Sequence, residues 1–300
     1  MVVIDSHQHI WDPGRARYDW LGSDLASIDR PFGFGELGAA RKRAGIEATV
    51  LVQSADNDED TALMREAATQ HPGIVGIVAF APLDDPRRTR ELAEEFAADP
   101  TIVGVRNLIH DNPDPAWLLD DRVTASLDVL ADHGLTFDLP AVLPQHVMLV
   151  AELVRRSPAL QVVIDHLAKP PIGRDDREPW WTLIEKAAAS PQVFAKVSGL
   201  YSSAGAPQEW TSESIRPYFW RAVEVFGPER LMFGSDWPIS LTAGGYDRVW
   251  QALSGLFSEL SPTEREQLTG GTAARFYSID PKRLASAVSS SRAESSLPTL

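Results

Sequence analysis

An alternation that runs through most of the 300 residues constrains the fold of this chain more than any other feature. Short apolar, β-branched runs stand at 2–4, 48–53, 74–80, 102–109, 135–141, 160–166, 193–198 and 230–235. Most are near-continuous apolar strings, the pattern of parallel strands buried on both faces. Stretches of helical spacing separate them, at 60–70, 87–98, 121–133, 145–156, 179–189, 215–226 and 247–260. Several of these begin at a capping residue or Pro and stop before Gly, as at Gly134 and Gly227. Parallel strands need crossover connections, so the repeat predicts an α/β fold, a single-domain (β/α)8 TIM barrel. A doubly wound open sheet is the alternative. A closing helix is expected over 263–279, with Phe276 and Tyr277 packed on the barrel. The barrel domain is expected to span 1–285, and the Ser-rich stretch 286–300 to be a disordered tail.

Composition narrows the partners. With 28 basic and 42 acidic residues the net charge is −14, which disfavours nucleic acid and anionic membrane and leaves a small molecule as the expected partner. No stretch has the length of a membrane span, and no basic segment followed by an apolar run opens the chain. There is no cysteine, which removes disulfides, thiolate ligands and cysteine nucleophiles and agrees with a cytoplasmic protein. Nothing in the sequence specifies an oligomeric state.

A barrel gathers its chemistry at the C-terminal ends of its strands. Strand 1 runs into His7 and His9, whose spacing projects both from one face. Strand 2 ends in Gln53. Strand 4 carries Arg106 and leads to His110 and Asp111, strand 6 ends in Asp165 and His166, and strand 8 in Asp236 and Trp237. Strand 7 ends in Lys196-Val197-Ser198-Gly199, with Tyr201 beyond. Arg106 in an apolar strand requires a carboxylate, from an internal Asp or from a substrate. Lys196 reads as a surface or salt-bridged residue. The run 56–60 is acidic like a calcium loop but lacks its Gly and closing Glu, so it reads as the first turn of a helix.

The runs Ile4-Asp5-Ser6-His7-Gln8-His9-Ile10-Trp11-Asp12-Pro13, Val163-Ile164-Asp165-His166-Leu167-Ala168-Lys169-Pro170, Lys196-Val197-Ser198-Gly199 and Phe233-Gly234-Ser235-Asp236-Trp237-Pro238 together resemble the lactonase branch of the amidohydrolase superfamily. That branch includes sugar lactonases and 2-pyrone-4,6-dicarboxylate lactonases. The resemblance implies a carboxylic-ester hydrolase of carbohydrate catabolism in which Asp236 is the general base for water attack on a lactone. His7, His9 and His166 then polarise the carbonyl. Arg106 holds polar or anionic substrate groups, Gln53 and Tyr201 contact hydroxyls, and Trp11 and Trp237 wall the pocket.

Strand 4 has no Lys or Glu, and strand 5 no His, where metal-dependent members of the superfamily add ligands. Asp138 is the one carboxylate on strand 5. A dinuclear site is therefore not expected, and the enzyme reads as metal-independent with no required cofactor. A single zinc on His7, His9, His166 and Asp236 remains the other possibility, with geometry to decide. The rival functions are a zinc-dependent decarboxylase of the same superfamily and a catalytically silent sugar-acid binding protein.

Overall fold

Eight parallel strands pair in sequence order: β1 (Ile4–Gln8), β2 (Ala48–Val52), β3 (Ile74–Ala79), β4 (Ile102–Arg106), β5 (Thr136–Leu139), β6 (Val162–Ile164), β7 (Val193–Val197) and β8 (Leu231–Phe233). The sheet closes where Gln8 bridges Trp237, with His9 N donating to the Trp237 carbonyl at 2.7 Å and Asp236 N to the His7 carbonyl at 2.8 Å. The computed structural model describes residues 2–110, 112–203 and 209–296. Asp111 and part of the connection after Tyr201 lie outside the described residues.

Every strand residue is buried, as expected for strands with side chains on both faces. Side chains alternate between two cores. Val50, Val52, Val163, Phe194 and Met232 fill the barrel, whereas Leu51, Ile164, Val193, Val197 and Phe233 pack outward against the helices. Those helices are α1 (Gly38–Ala44), α2 (Asp58–Gln70), α3 (Pro86–Ala97), α4 (Asp121–Asp132), α5 (Pro144–Arg156), α6 (Trp180–Ala188), α7 (Ser212–Phe226) and α8 (Tyr246–Phe257). Local chemistry sets their starts: Asn57 caps α2 ahead of its acidic first turn, Asp85 caps α3 with Pro86 behind it, and Thr211 caps α7. The acidic run 56–60 is thus a helix start, as read. Short, basic α1 carries no long apolar stripe and was not visible in the pattern.

Two expectations at the C-terminal end are corrected. The closing segment is no single helix but α9 (Pro262–Glu266), a π-helical turn (Gln267–Gly271) and α10 (Thr272–Phe276). A Cβ on Gly270 would lie 2.0 Å from the Val2 carbonyl oxygen, so the turn distorts where it presses on the chain entering β1. Phe276 and Tyr277 then plug the lower end of the barrel beneath Phe194. The stretch expected to be disordered from residue 286 continues α11 (Pro281–Ser296). Buried Ala287 and half-buried Leu284 anchor that helix on the same core, a tertiary contact its Ser-rich composition does not announce. Among the described residues no helix is long and apolar enough to cross a membrane.

Candidate active site

Three imidazoles and one carboxylate meet at the upper end of the barrel. His7 lies in β1, His9 just past it, His166 just past β6 and Asp236 just past β8. Their near atoms form a cup: His7 Nε2 to His9 Nε2 is 3.1 Å, and Asp236 Oδ1 lies 3.4 Å from His9 Nε2, 3.8 Å from His7 Nε2 and 4.0 Å from His166 Nε2. All four side chains are buried.

The backbone is strained to build this cup. Residues 166–169 all adopt positive φ, between 49° and 58°, a left-handed turn of four non-glycine residues. Asp236 is also left-handed, with φ of 55°. Such residues cost roughly 1–2 kcal/mol each and cluster at functional sites. The turn is pinned by Trp180 Nε1, which donates to the Leu167 carbonyl at 2.6 Å, and it aims both His166 and Lys169 at the cavity. Gly199, with φ of 57°, backs the cup: a Cβ there would sit 2.5 Å from His166 Nδ1 and 2.8 Å from Asp236 Oδ2.

Each far ring nitrogen has a partner. His9 Nδ1 lies 2.8 Å from the Val52 carbonyl oxygen, and His166 Nδ1 lies 2.9 Å from Ser198 Oγ. His7 Nδ1 lies 3.0 Å from Lys196 Nζ and 3.2 Å from Asp165 Oδ1. Burial pushes His166 down to about 3, against the opposing charge of Asp236, so this ring is neutral at pH 7. Burial, joined by the Lys196 ammonium, also holds His7 well below its ordinary value. For Asp236 burial works upward, but His166, the hydrogen bond with His9, and the charges of His7 and Lys169 hold its carboxyl well below the usual range. An ionised carboxylate facing the neutral imidazoles of His7 and His166 is the resting state.

Behind the cup runs a buried ion network. Arg106 Nε donates to Asp165 Oδ2 at 2.9 Å, so the carboxylate that Arg106 requires is internal. Lys196 is fully buried, since β7 turns Phe194 and hence Lys196 into the barrel, and it bonds Asp138 Oδ2 at 2.5 Å. Tyr277 OH donates to the same oxygen at 2.8 Å. Asp138 is thereby tied to Lys196 and Tyr277.

Above the cup opens a cavity of about 530 Å³. His9, His166 and Asp236 floor it, and Arg106, Lys169, His110 and Trp20 stand in its walls. Among the described residues Arg106 Nη2 has no protein partner, while Nη1 donates to the Gln53 carbonyl at 2.9 Å. The other residues expected to touch substrate stand back from the cavity. Tyr201 OH donates to Asp236 Oδ2 at 3.0 Å and so orients the carboxylate. Gln53 Nε2 donates to Asp56 and to the Arg106 carbonyl, both at 2.9 Å. Trp11 is fully buried, its indole N–H directed at the Ile28 and Arg30 carbonyls, and Trp237 packs edge-on to Phe32. Trp20, held by the Ser54 carbonyl at 2.6 Å, supplies the aromatic wall instead. Lys169 and His110 were visible in the sequence but received no role, because only the left-handed turn and the bend after β4 bring them in.

Fold and cup together define a TIM-barrel protein of the His-x-His, strand-6 His, strand-8 Asp type. The chain belongs to the amidohydrolase family, whose model it matches over residues 4–279. It is 34% identical to an L-fucono-1,5-lactonase of Burkholderia ambifaria over 281 residues, covering 92% of this chain and 96% of the relative. A second L-fucono-1,5-lactonase, from Burkholderia multivorans, is 31% identical over 286 residues, with 92% and 96% covered. The crystal structure of an amidohydrolase from Burkholderia multivorans with bound zinc superposes with a TM-score of 0.84 at 30% identity, covering 93% of this chain and all of that one.

The cup passes a geometric test for one cation. Four N and O ligands at about 2.0–2.1 Å around a tetrahedral ion stand roughly 3.3 Å apart; Asp236 Oδ1 lies 3.4–4.0 Å from the three imidazole nitrogens, and His7 Nε2 lies 3.1 Å from His9 Nε2. His7, His166 and Asp236 offer ligand atoms all within 4.8 Å of one another. The imidazoles also have the outer partners that metal-bound histidines keep: a carboxylate, a carbonyl and a hydroxyl. The expectation of metal independence is not supported.

Proposed function

We propose that this protein opens a sugar-acid lactone to the corresponding hydroxy acid. One observation carries the reading: an ionised Asp236, buried beside the neutral rings of His7 and His166, floors a cavity whose walls hold Arg106 and Lys169. The two lactonase relatives support the same substrate class.

In this reading Asp236 takes a proton from the attacking water as oxygen adds to the carbonyl carbon. When the ring C–O bond breaks, the proton passes to the leaving alkoxide, and the carboxylic acid loses its own proton to solvent. Tyr201 keeps the carboxylate aimed. Its phenol is pushed well above its ordinary value by burial and by the Asp236 charge, so it stays a donor. Arg106 Nη2 and Lys169 orient the oxygen substituents of the ring, and Trp20 offers a face for its carbons. His9 fits the role of ligand better than that of carbonyl-polarising donor. While neutral, its one N–H points to the Val52 carbonyl, leaving a lone pair on Nε2. A single zinc would be held by His7, His9, His166 and Asp236, and when bound it supplies Lewis acidity toward a carbonyl oxygen.

The test is acid release from a panel of aldonolactones, with and without chelator, for wild type and Asp236→Asn. Turnover in wild type and a loss of at least about 10²-fold in the variant are expected. Turnover within a few-fold in the variant sinks the base assignment. Carbon dioxide release from an aromatic acid, with no lactone turned over, sinks the lactonase reading in favour of a decarboxylase.

A further inference from the structure

The buried Lys196 ammonium has no part in the hydrolysis above, yet it lies 3.0 Å from a ring nitrogen of the cup. An ammonium has three N–H donors and no acceptor. Three acceptors surround this one: Asp138 Oδ2 at 2.5 Å, Asp165 Oδ1 at 3.2 Å and His7 Nδ1 at 3.0 Å. When Lys196 donates to His7 Nδ1, as the 3.0 Å contact allows, the proton of the neutral ring is on Nε2. That N–H then points at His9 Nε2, 3.1 Å away. His9 Nε2 is free to accept because His9 Nδ1–H donates to the Val52 carbonyl. Lys196, His7, His9 and Val52 thus form one hydrogen-bonded chain, and Asp165 Oδ1, 3.2 Å from the ammonium, adds an ion pair without a hydrogen bond.

The other tautomer of His7 has an Nδ1–H beside Asp165 Oδ1 at 3.2 Å, a contact without hydrogen-bond geometry. It leaves Lys196 with a donor pressed against an N–H. It also turns two nitrogen lone pairs toward each other at 3.1 Å, beside the Asp236 carboxylate. Only a cation makes that arrangement favourable. The two tautomers carry the same charge, so the choice between them involves no titration, only the movement of one proton across the ring.

We propose that Lys196 is a positioning residue that holds His7 as its Nε2–H tautomer, so that the cup is closed by a hydrogen bond until a cation displaces it. This sets Lys196 apart from an ordinary outer partner of a metal ligand. Such partners raise metal affinity, and their loss typically weakens binding by about 10–100-fold. Lys196 opposes it. The proposal concerns the cup and not the substrate, so it stands or falls separately from the lactone assignment.

Histidine ¹⁵N spectra of the wild-type protein decide it without any lactone present. After exhaustive chelation, His7 is expected as the Nε2–H tautomer. On adding zinc alone it is expected to switch to Nδ1–H. An Nδ1–H or doubly protonated His7 in the metal-free protein overturns the proposal, as does an unchanged Nε2–H ring when zinc is bound. Chelator competition on Lys196→Met, where it folds, is expected to show zinc bound about tenfold more tightly than by wild type. Equal or weaker zinc binding in the folded variant also overturns it. The spectra of the unaltered protein keep the test complete if that variant does not fold.

Discussion

At the scale of single residues, the site depends on positions that stand behind the cavity and do not line it. Gly199 is the sharpest case. Alanine there must adopt a left-handed φ and would meet His166 Nδ1 and Asp236 Oδ2 at well under van der Waals distance. Gly199→Ala is therefore expected to lower turnover by about 10²-fold, through displacement of the cup, while costing roughly 1–2 kcal/mol of stability. Parallel urea unfolding and steady-state kinetics check this; a stability loss with unchanged turnover per folded molecule refutes it. His7, His9, His166 and Asp236 were legible because strand-end polar residues stand out against apolar strings. The roles of Trp11 and Tyr201 were not, since which way a side chain faces past a strand end depends on loop conformation. Trp20 replaced Trp11 for that reason.

At the scale of elements, the short closing helix α10 and the Tyr277 turn do more than cap the barrel. Phe276 packs tilted against Phe194 with ring centroids 4.7 Å apart, and Tyr277 reaches up to Asp138, which in turn holds Lys196. The plug therefore joins the lower core to the ion network behind the cup. Phe276→Ala is expected to destabilise the protein by about 3–5 kcal/mol in urea unfolding, as for other buried aromatic truncations. A loss below about 1 kcal/mol would mean that the plug collapses onto the gap or contributes little. Most helices were legible from caps and periodicity. The π-helical turn and the helical course of 281–296 were not, because both depend on contacts with the barrel and not on local propensity.

At the scale of the molecule, burial of charge sets the pH response. Burial pushes Asp5 up to about 6 and, despite Lys196, Asp138 up to about 6, so the folded state takes these protons before the unfolded chain does. Burial lowers His110 to about 4 and His166 to about 3 and also lowers His7 and His146, so those protons go to the unfolded chain first, while Asp56 and Asp60, raised by burial, join the acids. Between roughly pH 6 and pH 4 the acids raise stability on acidification and the histidines lower it, and the two largely cancel. Below about pH 4 the balance changes. Asp165 and Asp236 are held well below the carboxylate range, burial being outweighed by Lys196, His7 and Arg106 for the first and by the histidines and Lys169 for the second. The unfolded chain then binds protons that the fold refuses, and two such groups remove roughly 2.7 kcal/mol per pH unit. A nearly flat urea midpoint from pH 6 to 4, then a steep fall, is expected from denaturation series. A steady decline beginning at pH 6.5 would show that the histidines alone govern.

By itself the sequence determined the barrel and the residues of the cup. Strand burial and helix amphipathicity are local periodicities, and a parallel barrel is the arrangement that buries so many two-faced strands while placing their ends together. What tertiary structure alone decided is which hydrogen each buried group shares, and with whom. Lys196 and His7 stand 189 residues apart, and the distances on which the metal question turned join β1, β6 and β8 in the same way. No pattern along the chain encodes that, because it arises only when distant strands enclose the same few ångströms of space.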